Sequence, residues 1–314
     1  MKIRLTTVTA TTALLGLALT ACSSTSDDPL ATDSTGTAAA DEDTIVIGTA
    51  NFPESEIIGQ VWAAALEDAG FDVEVSSAIG SREVYLRALE EGSIDIVPEY
   101  TGNLAQFYEA DLAAGASSDD VFAALEGVLP EGITAGEYAE GESKDSYRVT
   151  RDLADEHDLS TLADLNNLDQ VRVAGNPELA ERPYGPPGLT DVYGVDAAKI
   201  TMVPISDGGG PLTVAALTEG TAEVANIYTT SPSLDSEGNE VDLVTLEDPE
   251  GMILPQNVLP LMRAGDVPQD AIDVITGVNG HITTDALVAM NLRNIGEEKA
   301  EPPVIARDFV DEHA

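Results

Sequence analysis

The sequence predicts a two-lobed α/β fold, and two features predict it. The stretch Gly80–Thr101 (GSREVYLRALEEGSIDIVPEYT) recurs 128 residues later as Gly208–Thr229 (GGGPLTVAALTEGTAEVANIYT), with Gly, Ala-Leu, Glu, Gly and Tyr-Thr at matching places. Each copy reads as a Gly turn, a short helix, a helix-ending Gly, a hydrophobic strand and a terminal Tyr. Around each copy strands alternate with helices, a pattern that builds a largely parallel sheet. In such sheets ligands bind beyond the carboxyl ends of the strands. Tyr100 and Tyr228 end the two repeated strands, so two similar lobes are expected to present a Tyr rim to one shared cleft.

The elements follow in order. Lys2 and Arg4 precede the apolar stretch Leu5–Thr20, which is short for a membrane-spanning helix and reads as a signal peptide over 1–21. It ends in Leu19-Thr20-Ala21-Cys22, which resembles a bacterial lipobox; Cys22 is the only cysteine and is expected to carry the lipid. Ser23–Asp43 has no periodicity and a Ser/Thr/Asp/Ala bias, and reads as a disordered tether. Folded sequence starts with the strand Thr44–Ala50, a helix to about Ala69 and the strand Phe71–Ser77. The first repeat unit supplies the next helix and strand. In each copy a Gly, Gly92 or Gly220, stands where a left-handed helix end is needed. Two helices follow, one opened by the capping-box spacing of Ser117 to Asp120.

Tyr147–Thr150 reads as a strand leaving the first lobe. A charged helix, a short helix at Thr161–Leu165, a strand at Gln170–Ala174 and a Pro/Gly-rich loop at Asn176–Gly188 come next. The strand Ile200–Val203, the second repeat unit and the strand Val241–Leu246 complete that lobe. Asn257–Met262 is a hydrophobic run, and three terminal helices have no further strands to cover, so they are expected to return to the first lobe. Lobe I is therefore expected at 44–146 and 255–314, lobe II at 147–254, with hinge crossings near 147 and 255.

Composition narrows the function. With 14 basic and 57 acidic residues the net charge is −43, a surface that repels nucleic acid and anionic headgroups. His157, His281 and His313 lie far apart, no G-x-S-x-G elbow occurs, and Gly208-Gly209-Gly210-Pro211 lacks the Lys-Ser/Thr of a phosphate loop. No metal, cofactor or catalytic constellation is expected. The Gly208–Gly210 turn opens a helix whose first N–H groups are candidates for a ligand carboxylate. Tyr100, Tyr147 and Tyr228 all fall at strand ends or crossings that border the cleft, and a box of Tyr faces suits a quaternary ammonium. Ser81 and Arg82, at the start of the first repeat helix, are candidates for a ligand carboxylate.

Asn51-Phe52, Gly80–Tyr85, Gly92–Gly102 (GSIDIVPEYTG) and Gln256–Leu261 resemble the osmoprotectant-binding proteins of ABC importers, over roughly Thr44 to Ala314. The resemblance implies a type II periplasmic-binding fold closing about a two-strand hinge, with a small zwitterionic or cationic solute such as glycine betaine, choline or carnitine as ligand. It implies an ABC permease with its ATPase as partner and a location on the outer face of the cytoplasmic membrane. It matches cage tyrosines to Tyr100, Tyr147 and Tyr228, includes Asn51, puts Ser55 where the family has a Gln, and puts Gln256 where some members have a fourth Tyr. On this expectation Gln256→Tyr tightens choline or betaine; the alternative is that Gln256 only ties the hinge through backbone groups, in which case Tyr harms all ligands alike. The alternatives are another solute, such as an amino acid or a larger aromatic, which a carboxylate beside the tyrosines would favour, and an anchored enzyme.

Overall fold

The computed structural model describes residues 44–113 and 115–313; the expectations for the signal peptide, Cys22 and the tether lie outside the described residues. β1 (Ile45–Ala50), α1 (Pro53–Asp68), β2 (Val73–Gly80), α2 (Arg82–Glu91) and β3 (Ile96–Tyr100) open the chain. α3 (Thr101–Phe107), α4 (Ser118–Glu126) and β4 (Ile133–Ala135) follow before the chain crosses to β5 (Tyr147–Thr150). Next come α5 (Arg151–His157), β6 (Val171–Gly175), α6 (Pro186–Asp191), β7 (Ile200–Pro204), α7 (Pro211–Thr218), β8 (Val224–Asn226) and β9 (Leu243–Thr245). β10 (Val258–Arg263), α8 (Gln269–Asn279), α9 (Thr284–Ile295) and α10 (Pro302–His313) end it.

Two five-stranded sheets result, ordered β2-β1-β3-β10-β4 and β7-β6-β8-β5-β9. β1 is parallel to β2 and β3, as β6 is to β7 and β8. In each sheet the fourth strand, β10 or β5, is antiparallel because it arrives from the other sheet. The two lobes thus share one topology, and the repeated segments occupy equivalent places: α2 with β3, and α7 with β8. Gly92 ends α2 at φ 76° and Gly220 follows α7 at φ 70°, a left-handed backbone that side chains with a Cβ adopt at a cost.

α1 is the hub of the first lobe. Its Ile57, Ile58, Val61 and Trp62 are fully buried, and α8, α9 and α10 pack against it, so the terminal helices do return to the first sheet. Trp62 Nε1 donates to Asn279 Oδ1 at 2.7 Å, which satisfies both buried groups. The second lobe has its own core, built on Tyr147, Val149, Val171, Val173 and Leu189.

The capping box at Ser117 and Asp120 forms as its spacing predicts. Two short elements were hidden. β4 has only three residues and pairs with β10, a partner more than 120 positions away. α6 begins at Pro186-Pro187, where a helix tolerates proline in its first turn, although the density of Pro and Gly reads as loop. The expected helix at Thr161–Leu165 is a 3₁₀ turn over Leu162–Asn167.

Two chain segments connect the sheets and run side by side. Glu142 and Asn257 form an antiparallel bridge, and Ser143 N donates to Gln256 O at 3.0 Å. This is the two-strand hinge.

Candidate functional site

Where the two sheets face each other, a cleft encloses about 670 Å³ of empty space, its open mouth included. Five aromatic rings line it: Phe52, Tyr85, Tyr100, Tyr184 and Tyr228. Phe52 follows β1, and its ring centroid lies 6.1 Å from that of Tyr100 and 5.6 Å from that of Tyr228. One ring of the first lobe thus leans on one of the second. A further contact joins the lobes, where Arg182 pairs with Glu83 at 2.8 Å and lies 5.9 Å over the Phe107 ring.

The phenols are held neutral. Burial, reinforced by the neighbouring Glu54 carboxylate, keeps Tyr100 well above the ordinary Tyr value, and burial with Asp145 nearby does the same for Tyr228. Arg148 Nη2 fixes the Tyr228 backbone by donating to its carbonyl at 2.8 Å. A neutral ring presents the negative face that a cation seeks.

Of the residues singled out from sequence, Asn51, Ser81, Arg82, Tyr100 and Tyr228 line the cleft, and Ser55, Tyr147 and Gln256 do not. Ser55 is fully buried and its Oγ accepts from Ala50 N at 3.0 Å, which fixes the β1–α1 turn. Tyr147 is equally buried; its hydroxyl donates to Tyr184 O at 2.8 Å, so it positions another ring of the wall. Ser81 Oγ donates to Glu83 Oε2 at 2.8 Å.

Arg82 departs from the sequence expectation most. Its guanidinium grips Glu99 with both arms, Nε to Oε1 at 2.8 Å and Nη2 to Oε2 at 3.1 Å. Glu99 also accepts from Tyr85 Oη and from Tyr100 N. The charge expected to meet a ligand carboxylate is therefore neutralised by a fully buried acid. In the turn before α7, Asp207 Oδ2 already accepts from Leu212 N at 2.7 Å and Thr213 N at 3.2 Å, so those first helical N–H groups are taken.

Gln256 is fully buried and lies outside the cleft lining. Its Oε1 accepts from Asn103 N at 2.8 Å, and its Nε2 donates to Asn103 Oδ1 at 2.6 Å. The amide ties the hinge to α3, while Asn103 Nδ2 donates to Asp145 Oδ2 at 2.9 Å in the cleft. A Cβ on Gly102 would meet Gln256 Nε2 at 2.8 Å, so there is little room to spare. Gln256→Tyr is thus expected to lower stability by about 1–3 kcal/mol through overpacking and to weaken every ligand alike. Calorimetry of several ligands on both proteins checks this; a selective gain for one quaternary amine would restore the fourth-wall role.

Three carboxylates, Glu54, Asp145 and Glu178, line the cleft beside the rings. None was singled out in the sequence, where 57 acids hide them, nor were Phe52, Tyr85, Tyr184 or Asn226. Phe52 had a signal in its place beside Asn51 in the family-like motif. Asp145 is 5% exposed, and burial, the largest influence, pushes its carboxyl above the usual range while the Asn103 hydrogen bond pulls it down. A folded-state value raised above the unfolded one means that stability is lost as pH rises through it. Asp145→Asn should therefore leave the ligand-free protein as stable at neutral pH or more so, and should weaken a cationic ligand. Thermal melts and titrations on one sample check the pair of outcomes; loss of both stability and binding would mean a purely structural Asp145. The Asn226 amide lies in the same buried wall beside Asp145, and with Asn103 it holds that carboxyl down against the effect of burial.

Among the described residues no cluster of His, Cys, Asp and Glu is arranged to hold a metal ion, and no helix is long and apolar enough to cross a membrane. The cleft between two topologically equivalent lobes thus offers ring faces and carboxylates to whatever enters it.

Comparison with known proteins agrees with this geometry. The chain is 24% identical over 217 residues to the glycine betaine-binding protein YehZ of Escherichia coli, covering 66% of this chain and 70% of that one. It is 25% identical over 290 residues to a glycine-betaine-binding protein of Pseudomonas aeruginosa, covering 87% and 89%. The crystal structure of a glycine betaine/carnitine/choline ABC transporter protein superposes with a TM-score of 0.65 at 20% identity, over 86% of this chain and 98% of that one. That likeness shows the fold, which is the type II periplasmic-binding fold. Residues 43–312 match the family described as the substrate binding domain of ABC-type glycine betaine transport systems. This chain belongs to that family of extracytoplasmic solute-binding proteins.

Proposed function

We propose that this chain binds a quaternary-ammonium osmoprotectant of the glycine betaine, choline or carnitine type between its lobes and delivers it to its permease, performing no chemistry itself. The observation that carries the reading is the wall of five rings with carboxylates among them. A trimethylammonium has no N–H to donate, so its recognition rests on ring faces and negative charge. Three ring contacts at about 0.5–2 kcal/mol each give roughly 2–6 kcal/mol. Micromolar binding needs about 8 kcal/mol, and the acids and apolar desolvation supply the remainder. Lobe I is taken as 44–146 with 255–314 and lobe II as 147–254; ligand favours the form in which they close on each other.

A second reading has one observation in its favour. Asp145 and Glu54 can accept N–H bonds from a primary ammonium, which suits an amino acid. A thermal-shift series with glycine betaine, choline, carnitine, ectoine and amino acids separates the two. The largest shift is expected from a quaternary amine; an amino acid that shifts the melt while no quaternary amine does would overturn the proposal.

The lipid anchor belongs to the same reading. Two acyl chains on Cys22 would hold the protein stably at the outer face of the cytoplasmic membrane. Cys22→Ser is expected to abolish lipidation and to release any processed protein. Fatty-acid label still incorporated into that variant would exclude Cys22 as the attachment point.

A further inference from the structure

Glu54 is the second residue of α1 and is 5% exposed, yet it lines the cleft. Its carboxylate accepts from Tyr100 Oη at 2.6 Å, Thr230 Oγ1 at 2.5 Å and Asn291 Nδ2 at 2.6 Å. Its three donors come from the end of β3, from the segment after β8 and from α9, so both lobes hold it. All three are neutral. Among the described residues it takes part in no ion pair, in contrast to Glu99, which meets Arg82 in the same wall. Burying a carboxylate without a cation is costly, and three neutral hydrogen bonds offset only part of that cost. An amide of the same shape would fill the space more cheaply. The arrangement makes sense if the cation is the solute.

We propose that Glu54 is a specificity-determining residue whose fixed negative charge makes the cleft prefer a cationic headgroup to a neutral one of the same shape. This rests on the quaternary-ammonium reading. The charge sits one hydrogen bond from a cage ring, and its bond to Tyr100 draws electron density toward the phenol ring, which strengthens the ring's attraction for a cation. Thr230 joins Glu54 from the second lobe, so the counter-charge is held in the closed arrangement of the two lobes.

The probes are choline and 3,3-dimethyl-1-butanol, which replaces its nitrogen by carbon and carries no charge. Titration calorimetry of the full folded domain should show wild type preferring choline by on the order of tenfold or more, and Glu54→Gln losing most of that preference through choline alone. Binding of the neutral analogue should stay within about twofold. Thr230→Val removes a donor and keeps the charge, so the choline preference should survive in it. Equal losses for both probes in Glu54→Gln, or an unchanged ratio, would overturn the proposal. Should the Gln variant not fold, a wild-type ratio near one would overturn it as well. Wild type that binds neither choline nor glycine betaine would instead remove the reading on which it rests.

Discussion

Replacing Arg82 with Ala is expected to lower folding stability by about 3–5 kcal/mol, with weaker binding of all ligands as a consequence. Arg82 holds Glu99 through both guanidinium arms, and the Glu99 side chain is fully buried. Removing the cation leaves an uncompensated charge beneath Tyr85 and Tyr100, both of which bond to Glu99. Arg82→Ala with Glu99→Gln should recover part of the loss, because the stranded charge is gone. Urea unfolding of the single and double variants tests this. An Arg82→Ala protein of wild-type stability that loses only carboxylate-bearing ligands would return Arg82 to the direct ligand contact its sequence position suggested.

Tyr228→Ala has the largest expected effect on binding itself, a loss of about 1–3 kcal/mol, or roughly 5- to 150-fold in affinity. The Tyr228 ring lies on the second-lobe side of the cleft, against Phe52 of the first. Its removal takes away both a face for the cation and a ring contact that spans the two lobes. Tyr228→Phe keeps the ring and should stay near wild type, since the hydroxyl has only Asn176 Nδ2 at 3.5 Å beside it. Calorimetry that finds the Ala variant as tight as the parent would remove Tyr228 from the cage.

What could be read from the sequence was local. The repeat exposed the duplicated lobes because each helix, glycine and strand is specified by neighbouring residues, as Gly92 and Gly220 show. The rims carrying Tyr100 and Tyr228 followed from the same pattern. Assignments that depend on long-range packing did not. Tyr147 and Asp145 are two residues apart in one crossing segment, yet Asp145 lines the cleft while Tyr147 is locked beneath Tyr184. Arg82 became a structural charge because Glu99, in the family-like GSIDIVPEYTG stretch, folds under it. Glu54 is one acid among 57, and only the meeting of β3, α9 and the segment after β8 distinguishes it.

A structure of the protein crystallised with its tightest-binding quaternary amine tests the central claim most directly. The trimethylammonium is predicted to lie among Phe52, Tyr100 and Tyr228, within about 6 Å of their ring centroids, with Glu54 facing it. A ligand seated outside this cleft, or one whose cationic head turns away from the rings toward solvent, would contradict the account.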